Sequence, residues 1–113
     1  MDDCLFCKII AGEIPSKKAY EDEEILAFHD INPQAPVHVL IIPKQHIRSA
    51  DALTEADDAT LCRLFAAARR LAGELGLSGK GYRLITNVGA DGGQSVPHLH
   101  LHLIGGRPLR WDN

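Results

Sequence analysis

Three histidines alternate with leucines in the stretch His98-Leu99-His100-Leu101-His102-Leu103-Ile104. Side chains of a β-strand alternate between its two faces, so a strand here would place the three imidazoles on one face and the leucines on the other. An ordinary solvent-facing strand carries Thr, Lys or Glu, which makes this histidine ridge unusual. Because protonated imidazoles would repel one another, the pattern indicates either metal ligands or a nucleophilic site.

A catalytic zinc is the weaker of these two interpretations. A hydrolytic zinc site built on His-x-His usually adds a carboxylate or a third His and keeps one coordination position open. No Asp or Glu directly follows the ridge. The sequence also lacks a carboxylate cluster for Mg²⁺, so we expect the chemistry to require no metal.

The composition limits the class of protein. The chain has 113 residues, which is enough for one domain with a core and small enough for dimerisation to help bury surface. A net charge of −3 does not indicate a nucleic-acid-binding surface. No signal-peptide pattern or membrane-spanning apolar run is present, and the 3 Cys do not suggest a disulfide framework. We therefore expect a cytoplasmic protein that binds neither nucleic acid nor membrane.

Hydrophobic periodicity predicts an α+β domain with an antiparallel sheet of about five strands, one main helix and a short N-terminal helix. The expected strands are residues 18–21, 25–30, 37–42, 82–88 and the ridge itself. Residues 8–11 can form one helical turn. The main helix would be capped by Thr54 and end at Gly76. Strand order does not follow from the spacing.

An apolar stripe on the main helix would be core or dimer contact. It comprises Leu61, Leu64, Phe65, Ala68, Leu71, Ala72 and Leu75. Cys62 neighbours the stripe and is expected to be a buried thiol. The strand at 37–42 is nearly all apolar, which predicts a central strand covered on both faces.

Several residues outside the ridge have two interpretations each. Asp30 precedes a loop, where a carboxylate can bind a ribose diol or form a turn. His38 lies in an apolar strand and needs a polar partner, either a backbone carbonyl or the ridge. The loop at 89–95 is a phosphate-binding loop or a plain hairpin loop. Cys4 and Cys7 are half of a metal site or two small buried hydrophobes, and a redox role is disfavoured because the motif precedes every strand.

The ridge resembles the signature of the histidine triad (HIT) family, His-φ-His-φ-His-φ-φ with φ apolar. Gly92-Gly93-Gln94-Ser95 upstream, and Gly105-Gly106-Arg107 with Trp111 downstream, resemble the Hint branch of nucleoside phosphoramidases. The resemblance reaches back to Phe6. It implies one HIT domain over residues 1–113, and a homodimer in which two sheets join and the tail of one subunit lies near the partner's pocket.

The resemblance also implies roles. His100 would be the nucleophile, His102 would hydrogen-bond the phosphate, and His38 would complete the network. Ser95 and the backbone near Gly93 would hold the phosphate and leaving group. The implied nucleotide-binding set is Phe28, Asp30, Ile31, Asn87, Gly93, Gln94, Ser95, His100 and His102.

The implied activity is hydrolysis, through a covalent nucleotidyl-histidine, of a purine nucleoside 5′-phosphoramidate at its P–N bond or of an aminoacyl adenylate. Two alternatives remain open: a dinucleoside polyphosphate hydrolase of the Fhit type, and a nucleotide-binding interaction protein with little turnover. The Gly-Gly-Gln-Ser loop and the short tail with Trp111 argue against the first of these.

A structural zinc is a separate expectation. A closed Cys₂His₂ tetrahedron would be formed by Cys4, Cys7, His46 and His98. Some HIT relatives with an N-terminal Cys-x-x-Cys look built in this way. The competing interpretation is two buried thiols and two spare imidazoles.

Overall fold

The computed structural model describes residues 3–111, and Met1, Asp2, Asp112 and Asn113 lie outside the described residues. The strands are β1 (Lys18–Glu21), β2 (Ile25–His29), β3 (Val37–Pro43), β4 (Arg83–Ile85) and β5 (Leu101–Gly105). They form one antiparallel sheet in the order β1-β2-β3-β5-β4. The helices are α1 (Leu5–Ile10) and α2 (Asp58–Glu74), with 3₁₀ turns at Ala50–Ala52 and Glu55–Asp57. The predicted fold class is confirmed.

The central strand β3 separates two apolar cores, as predicted. Val39 and Ile41 belong to the core under α2, whereas Leu40 and Ile42 belong to the core under α1. All four side chains are buried. This division follows from the alternation of strand side chains between faces. It gives the sheet a thick α2 side and a thinner α1 side.

The ends of α2 follow from local chemistry. The Thr54 hydroxyl accepts a hydrogen bond from the Ala56 N–H and forms a capping box with Asp57. The first turn is 3₁₀, so the α-helix itself begins at Asp58. At the other end, Gly76 has a φ of 77° and the Leu77 N–H bonds to the Ala72 carbonyl. This is the Schellman geometry that favours glycine.

The α2 stripe is narrower than the sequence pattern predicted. Leu64, Ala68, Leu71 and Ala72 are buried as expected, whereas Leu61 is 38% and Phe65 49% exposed. The prediction that Cys62 is a buried thiol is wrong, because its side chain is exposed. Successive helix residues are 100° apart, so Cys62 points about 160° away from Leu64.

The last two strands are shorter than predicted. β4 ends at Ile85, and β5 begins only at Leu101, so His98 and His100 lie in irregular backbone ahead of the strand. Beyond the last β4–β5 pair, the Thr86 hydroxyl donates to the His100 carbonyl at 2.8 Å and replaces a strand hydrogen bond. Even so, the alternating leucines of this stretch all enter the α2-side core, as predicted: Leu99, Leu101 and Leu103.

No helix in residues 3–111 combines the length and apolar character needed to cross a membrane.

Candidate functional site

A cavity of about 250 Å³ lies between α1 and the sheet, on the face that carries the ridge. Six of the predicted site residues line it: Phe28, Asp30, Ile31, Ser95, His100 and His102. Apolar residues of α1 form the opposite wall, namely Leu5, Phe6 and Ile9. The cavity therefore has an apolar end and a polar end.

His100 is fixed in one orientation by a backbone contact. Its Nδ1 lies 2.7 Å from the His98 carbonyl oxygen, an acceptor, so Nδ1 carries the proton of the neutral ring. This leaves Nε2 with a free lone pair. The side chain is 3% exposed, and burial lowers the pKa of His100 below its ordinary value. The arrangement provides a neutral imidazole with one unprotonated nitrogen.

His38 and His102 form a directed pair beside His100. The Gln34 backbone N–H donates to His38 Nδ1 at 3.1 Å, so neutral His38 holds its proton on Nε2. That nitrogen lies 2.9 Å from His102 Nδ1, which must accept. The proton of neutral His102 is therefore on Nε2, free to donate to a ligand. The polar partner that the sequence required for His38 is thus the ridge, not a backbone carbonyl.

Burial keeps this pair uncharged at neutral pH. Burial, His100 and His38 lower the pKa of His102 to about 4. Burial lowers the pKa of His38, and nearby Asp30 only partly opposes the shift. A half-buried donor such as His102 Nε2–H stabilises developing negative charge without reorganisation.

Asp30 forms the turn that was one of its two interpretations, and it also lines the cavity. One carboxylate oxygen accepts the Asn32 N–H at 2.8 Å, which forms the turn. The other lies 3.4 Å from His38 Nε2 and beside the cavity. The ligand atoms of Asp30, His38 and His102 are close enough together to hold a metal ion. The His102 Nδ1 lone pair, however, already accepts the hydrogen bond from His38 Nε2–H and is not available as a ligand.

The glycine-rich loop is braced by its own side chains. Asn87 Nδ2 donates to the Gly92 carbonyl at 2.7 Å, and Gln94 Oε1 accepts the Gly89 N–H at 2.9 Å. Gln94 Nε2 donates to the carbonyls of Arg48 and Val96. Gly93 has a φ of 75°. Asn87, Gly93 and Gln94 do not line the cavity, in contrast to Ser95.

Two cysteines and two histidines form a cluster at the first histidine of the ridge, His98. Cys4 Sγ lies 3.4 Å and Cys7 Sγ 3.6 Å from His98 Nδ1, and Cys7 Sγ lies 3.3 Å from His46 Nδ1. The ligand atoms all fall within 4.8 Å of one another. Zn–S bonds of about 2.3 Å and Zn–N bonds of about 2.0 Å give a tetrahedron with S···N edges of about 3.5 Å.

The second nitrogen of His98 supports ligation by the first. His98 Nε2 donates to the Pro43 carbonyl at 2.8 Å, so Nδ1 is the unprotonated nitrogen facing the thiols. Metal-bound His commonly donates its other N–H to a carbonyl or carboxylate in this way. The four residues fit a Zn²⁺ ion in ligand type, separation and tautomer.

The sequence interpretation did not identify the part of α1 in the cavity wall. Leu5, Phe6 and Ile9 were not assigned to the site, although they line the cavity. The Phe6 ring packs edge-on against His100 and His98, with centroids 5.1 and 5.9 Å away. The available signal was the apolar spacing of residues 5, 6 and 9 around the two cysteines, which the cysteine pattern obscured.

Comparison with known proteins agrees with this geometry. Residues 11–109 match the model of the HIT domain. The chain is 44% identical over 108 residues to the purine nucleoside phosphoramidase of Escherichia coli (strain K12), covering 96% of this chain and 91% of that protein. It is 51% identical over 110 residues to a HIT-like protein of Synechocystis, with 97% and 96% of the two chains covered.

Solved structures show the same fold. A HIT family hydrolase from Legionella pneumophila superposes with a TM-score of 0.95 at 52% identity, covering 96% of this chain and 97% of that one. A HIT family hydrolase from Clostridium thermocellum gives a TM-score of 0.95 at 51% identity, with 97% and 96% covered. With the histidine ridge, the sheet and the family model all in agreement, this chain belongs to the HIT family.

Proposed function

We propose that the protein is a nucleotide hydrolase that cleaves purine nucleoside 5′-phosphoramidates at the P–N bond, or aminoacyl adenylate-type substrates at the P–O bond to the acyl group, and releases the nucleoside monophosphate. The observation that carries the proposal is the orientation of His100, whose Nε2 is left unprotonated beside a cavity of about 250 Å³. The E. coli relative that is named a purine nucleoside phosphoramidase supports the choice of bond.

The reaction divides into two displacements at phosphorus. His100 Nε2 attacks, the P–N bond to the amine breaks, and the amine leaves with the bonding electron pair. It takes up a proton, which the Ser95 hydroxyl, a lining residue of the cavity, would relay from solvent. Water then attacks phosphorus in the nucleotidyl-histidine and loses a proton to solvent, while the P–Nε2 bond breaks and its electron pair returns to the ring as the Nε2 lone pair. Covalent catalysis replaces one difficult step by two easier ones.

A neutral imidazole suits this chemistry because it brings no negative charge toward the phosphoryl oxygens. His102 donates from Nε2 to a non-bridging oxygen, and His38 holds it in that tautomer. The P–N bond formed with His100 resembles the bond that is broken, so the intermediate need not lie far above the substrate in free energy.

The nucleoside would occupy the apolar end of the cavity. Phe28 and Ile31 line it and would contact the base, while Asp30 would accept hydrogen bonds from the ribose hydroxyls. We assign the glycine-rich loop, with Asn87, Gly93 and Gln94, to the sugar–phosphate and leaving-group side. Since Asn87 and Gln94 already brace that loop, their contribution would be to its shape.

A comparison of two substrates tests the proposal. We expect an adenosine 5′-phosphoramidate to be hydrolysed with a much higher kcat/KM than a diadenosine polyphosphate. The reverse preference would favour a dinucleoside polyphosphate hydrolase. Saturable AMP binding with no turnover of either substrate would favour a nucleotide-binding interaction protein.

We also propose that Cys4, Cys7, His46 and His98 hold a structural Zn²⁺ ion. The ion would tie the N-terminus to the segment that begins the ridge, and it would take no part in the chemistry. Metal analysis after gentle purification tests this. Less than about a tenth of an equivalent of zinc, with no destabilisation by a chelator, would contradict it, since structural zinc couples to folding.

We propose that the chain acts as a single domain that forms a homodimer. Leu61 and Phe65 leave an apolar strip on α2, and Trp111 is 97% exposed. A twofold contact would cover these side chains and place Trp111 near the partner's pocket. Sedimentation showing only monomer at micromolar concentration would contradict the dimer. Deletion of residues 110–113, of which 112 and 113 lie outside the described residues, should change leaving-group preference if the tail contributes.

A further inference from the structure

We infer that metal occupancy of the Cys4-Cys7-His46-His98 cluster locks α1 in place as the cavity wall and so sets the affinity for the nucleoside part of the ligand. The inference rests on the proposed function. The starting observation is that the N-cap and first turn of α1 carry the two thiols on one side of the helix, while residues that line the cavity lie on another side.

The helix geometry makes α1 a single unit. Cys4 is the N-cap and its sulfur accepts the Cys7 N–H at 3.4 Å, so the two thiols lie one turn apart on one side. Leu5 and Ile9 are four residues apart and line the cavity from a neighbouring side. A displacement of the thiols therefore displaces the wall.

The thiols are also the polar connection between α1 and the sheet. In the part of the chain that the structure describes, residues 4–14 make backbone hydrogen bonds only among themselves. The side-chain hydrogen bonds that leave this segment run from Cys4 and Cys7 to His46 and His98. Apart from these, the segment is held by apolar packing, chiefly of buried Phe6 and Ile9.

A helix of 6 residues has little stability of its own. Without a metal ion, sulfur–imidazole contacts of 3.3–3.6 Å and the packing of Phe6, Ile9 and partly buried Ile10 must hold it. With the ion, two thiolates and two imidazoles are bound to one centre. The metal-free protein should therefore spend part of its time with α1 away from the cavity.

Displacement of α1 should weaken binding of the base and leave binding of the phosphate nearly unchanged. α1 supplies apolar cavity wall through Leu5 and Ile9, whereas the residues proposed to hold the phosphate, Ser95, His100 and His102, belong to the ridge and the loop before it. The apparent dissociation constant rises as the binding-competent fraction falls. If α1 is docked about a tenth of the time, AMP affinity drops about tenfold, while ribose 5-phosphate, which lacks the base, loses little.

The experiment compares AMP and ribose 5-phosphate binding to the same protein stripped of metal and reloaded with Zn²⁺. Binding is measured by calorimetry, and Co²⁺ substitution reports occupancy through its thiolate absorption. We expect stripping to weaken AMP binding about tenfold and ribose 5-phosphate binding less than about twofold. Cys7→Ser should match the stripped protein even with Zn²⁺ present. Cys62→Ser, which removes the exposed thiol of α2, is the matched control and should match the wild type.

A second variant distinguishes a loss of cavity wall from a loss of folded structure. Leu5 is 43% exposed, so Leu5→Ala should keep metal binding and the thermal midpoint while weakening AMP and sparing ribose 5-phosphate. Undiminished AMP affinity in Leu5→Ala would overturn the inference even if the stripped protein unfolds, because α1 would then not contact the base.

Each contrary outcome has its own meaning. Equal AMP affinity with and without metal, or failure to bind one equivalent of Zn²⁺ or Co²⁺, would overturn the inference. Equal losses for both ligands would also overturn it, because the effect would then run through His98 to His100. Absence of AMP binding in the metal-loaded protein would instead contradict the proposed function.

Discussion

The two faces of the sheet are built for different purposes. On one face, the 17-residue helix α2 covers a core of apolar side chains that includes Ile25, Val39 and Leu103. On the other, the 6-residue helix α1 leaves a cavity open and the chain buries His38, His98 and His100. The comparison shows where stability and chemistry are each located.

The same strands serve both faces. In β5, Leu101 and Leu103 enter the α2-side core while His102, between them, lines the cavity. Burial of imidazoles is costly unless they are hydrogen-bonded. Among the residues that the structure describes, every buried side-chain nitrogen and oxygen has a partner. A rigid apolar face therefore supports a polar face whose tautomers are fixed.

The largest expected effect is on the α1 face. His100→Asn should reduce turnover of an adenosine 5′-phosphoramidate by about 10⁴-fold or more, because it removes the attacking nitrogen. AMP binding and the free energy of unfolding should change little. Single-turnover kinetics with a parallel melting curve measure this. Turnover within tenfold of the wild type would refute the role of His100.

The complementary change is on the α2 face. Leu71 is 1% exposed, so Leu71→Ala should lower the free energy of unfolding by about 2–5 kcal/mol. The kcat of the remaining folded protein should be unchanged. Urea denaturation checks the loss, with Arg69→Ala on the exposed side of the same helix as the control. A loss below about 1 kcal/mol would show that this face does not carry the core.

Acid should lower the free energy of unfolding through His102, which lies on the α1 face of the sheet. The folded pKa of His102 is about 4, against an ordinary value of 6.5, so between these values the unfolded chain binds a proton that the native protein does not. Stability from this group is therefore full above pH 6.5 and is lost as the pH falls toward 4, by about 1–3 kcal/mol. Urea denaturation at several pH values measures the slope, which should flatten in His102→Asn. An unchanged slope in that variant would assign the acid sensitivity elsewhere.

The smallest expected effect is at the start of α2. Thr54→Ala removes the capping hydroxyl and should cost about 1 kcal/mol of stability, with substrate preference unchanged. Thr54→Ser retains the oxygen and should recover most of the loss. Denaturation midpoints of the two variants, compared at equal protein concentration, give the answer, and identical midpoints would exclude the cap as a contributor.

Features set by local chemistry could be predicted from the sequence. The apolar run of β3, the Thr54 cap and the Gly76 turn depend on neighbours in the chain. The exposure of Cys62 was missed because the apolar pattern of α2 covers more than one face, and only packing decides which part is buried. The late start of the ridge strand at Leu101 was missed because the Thr86 hydroxyl bonds to the His100 carbonyl in place of a strand neighbour.

The site required tertiary information in a similar way. Cys4 and His98 are 94 residues apart, and the family resemblance suggested their pairing where spacing could not. The wall formed by Leu5, Phe6 and Ile9 follows from how α1 lies on the sheet, and the apolar spacing of these residues alone does not specify that placement. The tautomers of His38, His100 and His102 depend on backbone groups that meet them only in the fold.

The most direct test of the account is mass spectrometry of enzyme quenched during turnover of an adenosine 5′-phosphoramidate. The account predicts an adenylyl group on His100, absent from His100→Asn and lost on further incubation with water. An adduct that maps to His98 or His102, or rapid turnover with no adduct under conditions that preserve phosphohistidine-type bonds, would contradict it.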